Sequence, residues 1–187
     1  MNPRPHQLLA VEQVQAAIAQ GQRRLCVTSP TGGGKTWIMC RLIDQWLQEG
    51  LRCALYTNRK LLIEQLSRVL GRHGIDHGVR AAGNSELDGE DGQFRPVQLC
   101  SIQTEHSRVC RHHDWILHGA DRVIVDEAHG ISPKMWFQTL AAIPAPVRLG
   151  LSATITEAKR RLIVESYLGP LVFEETYKAL ADQGRLA

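Results

Sequence analysis

Two short stretches of this sequence hold residue types that do chemistry together. The first is Ser29-Pro30-Thr31-Gly32-Gly33-Gly34-Lys35-Thr36. A run of glycines followed by a lysine and a hydroxyl suits a loop that wraps phosphate oxygens in backbone N–H groups. In such a loop Lys35 reaches the outer phosphates and the Thr36 hydroxyl takes a divalent cation. The strict pattern, G-x-x-x-x-G-K-[ST], has glycine where this chain has Ser29. The second stretch is Val123-Ile124-Val125-Asp126-Glu127-Ala128-His129. It is an apolar run that ends in paired carboxylates, one able to hold Mg²⁺ and the other to orient or deprotonate water. Alone, each has an ordinary reading: a glycine-rich turn, or a charged strand end. Together they are complementary, because a phosphate cradle needs a metal-binding acid.

The elements around these stretches alternate between helix and strand. Apolar residues recur at helical spacing over 6–19, and the β-rich run 23–29 leads into the glycine loop. A helix follows to a stop at Gly50, then a strand over 52–57 and a helix over 60–72 with Gly71 as its stop. A short strand over 77–82 precedes a polar, acidic, glycine-rich surface loop, 83–96. Strands at 96–102, 121–126 and 147–152 then alternate with helices at about 105–118 and 133–142. Helices at about 156–168 and 174–183 close the chain. Strands separated by helices of ten or more residues imply right-handed crossovers and a mainly parallel sheet, hence one α/β domain.

Bulk composition agrees with an ordinary globular protein: 187 residues, 43% hydrophobic and 22% charged. No apolar run is long enough to span a bilayer, and the opening MNPRPHQLL lacks the apolar region of a secretory signal, so a cytoplasmic location is expected. The five cysteines lack paired spacing and read as free thiols. Cys100, Cys110, His112 and His113 match no zinc-ligand spacing. The net charge of +3 is uneven, with +6 over residues 1–80 and −3 over 81–187. A basic half suits phosphate-bearing ligands without proving one.

The ordered set of motifs resembles the first RecA-like domain of superfamily 2 helicases and translocases of the DEAD/DEAH kind. Ser29 to Thr36 is similar to that family's motif I, which often carries Ala or Ser in the first-glycine position. Asp126-Glu127-Ala128-His129 matches motif II letter for letter, and Ser152-Ala153-Thr154 resembles motif III. Arg4-Pro5-His6-Gln7 resembles the R-P-x-Q opening. Tyr56-Thr57-Asn58-Arg59 sits where motif Ia belongs, and Ser101-Ile102-Gln103-Thr104 resembles a further nucleic-acid-contacting motif.

The resemblance implies a three-layer RecA-like P-loop fold over 1–170, with 171–187 leading out towards a second RecA-like domain. It implies ATP and Mg²⁺ as ligands. Gln7, helped by Arg4, would hydrogen-bond adenine. Pro30, Thr31, Gly32, Gly33, Gly34, Lys35 and Thr36 would hold the triphosphate, with Thr36 and Asp126 on the metal. Glu127 would be the base for the attacking water. His129, with Ser152 and Thr154, would couple hydrolysis to the partner domain. Thr57, Arg59 and Thr104 would contact a nucleic-acid backbone, DNA more readily than RNA.

The resemblance has edges. Ile155 follows the S-A-T element where many relatives have proline, and nothing over 155–187 resembles the second domain with its arginine finger. A single domain would then bind Mg·ATP but turn it over slowly, its partner domain being supplied in cis or in trans. Other readings of the same motifs are a duplex-DNA translocase of a restriction, repair or phage system, and a nucleotide-dependent binding or scaffold module. Intact Lys35, Thr36, Asp126 and Glu127 argue against the last.

Overall fold

The computed structural model describes residues 3–58, 60–82, 95–111, 119–127, 133–153 and 158–182. In chain order the elements are α1 (Pro5–Ala19), β1 (Arg24–Thr28), α2 (Lys35–Gln48), β2 (Cys53–Thr57), α3 (Lys60–Arg72), β3 (His77–Arg80) and β4 (Val97–Ser101). They continue with α4 (Ile102–Arg111), β5 (Arg122–Val125), α5 (Pro133–Ala142), β6 (Val147–Ser152), α6 (Ala158–Leu168), β7 (Leu171–Glu174) and α7 (Tyr177–Asp182). The seven strands form one sheet in the order β3-β4-β2-β5-β6-β1-β7, and every pairing is parallel. The expected α/β fold with a mainly parallel sheet is therefore present.

Both faces of the sheet are covered, which is why its strands read as continuous apolar runs rather than alternating ones. The pleat divides each strand between two cores. Leu25, Val27, Leu55, Ile124 and Leu149 pack against α1, α2 and α3. Cys26, Ala54, Tyr56, Val123 and Val125 face the other way, towards Trp136 and Leu140 of α5 and Val164 and Leu168 of α6. Among the described residues no helix is long and apolar enough to cross a membrane.

Three expectations need correction. Gly71 does not stop α3: the helix runs through it to Arg72, and the chain turns away at Gly74, whose φ is +70°. The helix after β4 starts at Ile102 rather than near 105. Residues 171–182, expected to lead out of the domain, form β7 and α7, and β7 pairs with β1 through Val27↔Phe173 and Thr28↔Glu174. A Gly169-Pro170 break ahead of Leu-Val-Phe was the available strand signal. Its four residues are too few for periodicity to reveal.

Cys26, Cys40, Cys53 and Cys100 are buried free thiols. Burial is the largest cause pushing Cys26, Cys40 and Cys53 up to about 12 from 9.0. In the unfolded chain these thiols ionise near 9, while the folded chain keeps its protons. Their contribution to stability is thus whole below pH 9 and falls between pH 9 and 12, by about 1.4 kcal/mol per pH unit for each thiol. Urea unfolding from pH 8 to 10.5 is expected to show this decline. Cys40→Ala should reduce the slope by one proton's worth, whatever it does to the absolute stability.

Candidate active site

β1 ends at Thr28 and delivers the glycine loop to the C-terminal edge of the sheet, where parallel sheets bind ligands. The Ser29 N–H donates to the Ser152 carbonyl at 3.0 Å, tying the loop's first residue to the end of β6. A Cβ added at Gly33 would collide with the Ser29 hydroxyl oxygen, so a serine in the first position fits because glycine lies over it. Gly34 caps α2 with φ +91°, a left-handed conformation that side-chain-bearing residues avoid, and an added Cβ there would strike the Gln7 carboxamide. Lys35 follows as the first residue of a 14-residue helix, whose first-turn N–H groups are of the kind that bind anions. The Lys35 ammonium donates to the Ser29 carbonyl at 3.0 Å, folded back across the loop.

β5 brings the acids to the same edge, one strand away across β6. The Asp126 N–H donates to the Tyr56 carbonyl at 2.8 Å, continuing the β2–β5 ladder for one more residue. Glu127 then turns with φ +53°, the described non-glycine residue in the left-handed region, a strain often found where a side chain is aimed for function. Burial first, and the neighbouring Glu127 charge second, push the Asp126 carboxyl up to about 6, against opposing pulls from the Glu127 backbone N–H and Lys35. A carboxylate held in that surrounding gains from a cation. Hydroxyl and carboxylate oxygens, Thr36 with Asp126, are the hard donors that Mg²⁺ takes. The residues present fit the metal.

Loop and acids line one open cleft of about 370 Å³: Pro30, Thr31, Gly32, Gly34, Lys35 and Thr36 on one side, Asp126 and Glu127 on another. Its remaining wall is α3, through Leu62, Gln65, Leu66 and Val69, which the sequence reading had not assigned to a site. Their signal was the apolar stripe of that helix, which reads as core and serves partly as lining.

The opening residues of the chain hold the loop from behind. Arg4 donates from Nη1 to the Gly32 carbonyl at 3.2 Å, and His6 Nε2 donates to the Gly33 carbonyl at 2.8 Å. Gln7 is buried, its Oε1 accepting from the Arg4 N–H at 2.8 Å and its Nε2 donating weakly to the Gly33 carbonyl at 3.5 Å. In this conformation Gln7 and Arg4, the residues expected to meet adenine, brace the loop through these contacts, with a second Nε2 hydrogen of Gln7 and further Arg4 N–H groups left for other partners. His6, read as the variable position of R-P-x-Q, is part of that brace.

The other expected residues divide. Ser152 is buried beneath the loop, in register with Thr28. Thr57, expected at a nucleic-acid backbone, ends β2 between β4 and β5, and its side chain is wholly buried with its hydroxyl unpartnered. Thr104 is half-buried in the first turn of α4. Beside it, Gln103 Nε2 donates to the Asn58 carbonyl at 2.7 Å and joins the exits of β2 and β4. Arg59, His129 and Thr154 lie outside the described residues, as do His112 and His113.

The family described as Type III restriction enzyme, res subunit, matches residues 1–157. Among curated proteins the chain is similar to IRC3 of Saccharomyces cerevisiae, assigned as an ATP-dependent helicase, with 29% identity over 175 residues. That alignment covers 86% of this chain and 24% of IRC3, so the chain spans about a quarter of the curated relative it matches. Among solved structures, the Hef helicase domain of Pyrococcus furiosus superposes with a TM-score of 0.74 at 17% identity, over 96% of this chain and 39% of that one. A nuclease-deletion mutant of the Type ISP restriction-modification enzyme LlaGI, solved with a DNA substrate mimic, gives 0.75 at 16% identity, over 99% of this chain and 21% of that one. At such identities the likeness is one of fold.

Proposed function

Because this chain belongs to the family described as Type III restriction enzyme, res subunit, and has the fold of the first RecA-like domain of superfamily 2 helicases, we propose that its cleft binds Mg·ATP and hydrolyses it in step with nucleic-acid binding. The observation that carries this reading is the cleft itself. It gathers Lys35 and Thr36 with Asp126 and Glu127 from stretches some ninety residues apart around one hollow at the sheet's C-terminal edge.

The residues divide the work by their chemistry. Backbone N–H groups of Gly32, Gly34, Lys35 and Thr36 cradle phosphate oxygens. Lys35 leaves the Ser29 carbonyl and donates to the outer phosphates. Thr36 and Asp126 hold Mg²⁺, which when bound neutralises charge on the phosphates. Glu127 accepts the proton of the attacking water and, by its turn, points where that water must sit. A second RecA-like domain, in cis or in trans, supplies the arginine that completes the site. Without it turnover is lower by about 10³- to 10⁵-fold.

The nucleic acid is DNA in this reading, and the restriction-enzyme family favours movement along a duplex over strand separation. The joined exits of β2 and β4, with Asn58, Gln103 and Thr104, form the face that meets its backbone. Backbone contacts make affinity fall steeply with salt. The test is phosphate release from Mg·ATP, alone and with duplex DNA, single-stranded DNA and RNA, with Lys35→Ala as the blank. Stimulation by duplex DNA that vanishes in Lys35→Ala is the expected result. ATP binding that survives Lys35→Ala unchanged would overturn the assignment of the loop.

A further inference from the structure

Two arginines stand side by side at the amino edge of the sheet, the edge opposite the phosphate loop. Arg24 starts β1 and pairs in register with Arg148 of β6. Both side chains turn to the face covered by α5 and α6. Leu25 and Leu149 belong to the other core, while Cys26, in phase with Arg24, and Gly150, in phase with Arg148, lie against Leu168 of α6. Like charges directly opposite on neighbouring strands are destabilising, a cost that a bound anion would relieve. Burial first, and the Arg24 charge second, pull the Arg148 guanidinium below its usual value. Arg148 Nη2 donates to the Ile143 carbonyl at 3.0 Å, which fixes that side chain. Among the described residues, neither arginine has a carboxylate partner.

The pair forms one wall of a hollow of about 240 Å³, completed by Phe137 and Leu140 of α5 and by Ser166 and Tyr167 of α6. None of the described lining residues is acidic. Phe137 is 58% exposed and meets Tyr167 in an edge contact with ring centroids 5.7 Å apart. A ring steadied by its neighbour thus stands largely open to solvent beside two cations. The positive edge continues along the sheet, with Arg122 at the start of β5 and Arg52 just ahead of β2. Asp121, the acid between them, accepts from the Arg52 N–H at 2.9 Å.

We infer that this hollow binds an unpaired nucleotide of a nucleic-acid strand, its phosphate held by Arg24 and Arg148 and its base laid on Phe137. Guanidinium groups suit phosphate because two N–H groups of one plane reach two oxygens at once. A base within a duplex is stacked on its neighbours, so only an unpaired one offers its face to the ring. An acidic peptide would satisfy the arginines and leave the exposed ring unused. The hollow is distinct from the ATP cleft and from the joined exits of β2 and β4, both at the carboxyl edge: roughly 13 Å of strand separates Arg24 from Thr28.

The test is fluorescence anisotropy of a labelled oligothymidylate of about ten nucleotides, titrated without ATP from about 50 to 200 mM salt. The wild-type chain is compared with Arg24→Gln, Arg148→Gln, Phe137→Ala and Phe137→Trp, and Gln103→Ala reports on the carboxyl edge. Each arginine variant is expected to weaken binding several-fold and to flatten the salt slope by about 0.7. Phe137→Ala weakens binding by roughly ten-fold at an unchanged slope, and Phe137→Trp restores it. These losses add to that of Gln103→Ala, as independent contacts do. Arg24 is exposed, so its replacement spares the fold; unchanged affinity and slope in Arg24→Gln would overturn the inference. So would arginine variants that lose a labelled oligoglutamate peptide but keep the oligothymidylate, which marks an acidic protein partner. If Gln103→Ala changes nothing while the arginine effects remain, the placement of nucleic acid at the carboxyl edge fails and this one holds.

Discussion

Glu127→Gln is expected to leave Mg·ATP binding within a few-fold of the wild-type chain while lowering phosphate release by about 10²- to 10⁴-fold, the usual contribution of a positioned general base. The amide has the shape of the carboxylate and keeps the strained turn at φ +53°, so the geometry of the cleft survives. It cannot accept the proton. The replacement also removes a charge that helps hold the Asp126 carboxyl up at about 6, and with it one of the negative charges beside the cation site. Single-turnover phosphate release with saturating duplex DNA, paired with equilibrium binding of ATP, separates the two effects. An unchanged rate would remove Glu127 from the reaction, and a lost affinity would make it a binding residue.

Glu105→Gln should unfold the protein more easily by about 3 to 5 kcal/mol, the usual cost of removing one partner from a buried ion pair. Arg80 at the end of edge strand β3 meets Glu105 in the first turn of α4 through two contacts, Nε to Oε1 at 2.9 Å and Nη2 to Oε2 at 3.3 Å. Both side chains are 1% exposed. Arg108 adds a looser contact to Glu105 at 3.4 Å. For a domain of this size the loss lowers the melting temperature by roughly 6 to 20 °C. Arg80→Met with Glu105→Leu together should recover much of it, because the desolvated charges leave as a pair. Urea unfolding of the two single variants and the double variant gives the coupling. If Glu105→Gln costs less than about 1 kcal/mol, the pair is not holding α4 to the sheet.

The phosphate loop, the paired acids and the alternating elements were legible in the sequence for one reason. Each is a local pattern, with its meaning complete within a dozen residues. Ser29 to Thr36 carries its own turn chemistry, and Val123 to Glu127 its own strand and strand end. What the sequence did not reveal depends on contacts between distant stretches. Arg80 and Glu105 are ordinary surface residue types 25 positions apart, and only the seating of β3 beside β4 buries them together. Thr57 reads as a rim residue until β4 and β5 close on either side of it. Gln7 carries the right residue type for adenine, yet its orientation is set by Arg4 and by the loop carbonyl across from it. Motif letters name a position; they do not say which way a carboxamide points.

β1 lies between β6 and β7, so the first strand of the chain to be made is the last to find its neighbours. Its residues pair with 148–152 on one side and 171–174 on the other. At ordinary rates of synthesis, roughly 7 to 30 seconds separate the emergence of β1 from that of its second partner. Until β6 is made an apolar strand with unpaired N–H and C=O groups waits in the growing chain, and until β7 follows one of its edges stays open, with the phosphate loop at its end. A fragment cut at residue 170 would never leave that condition, because β7 begins at Leu171; one edge of β1 would remain open as a template for another chain.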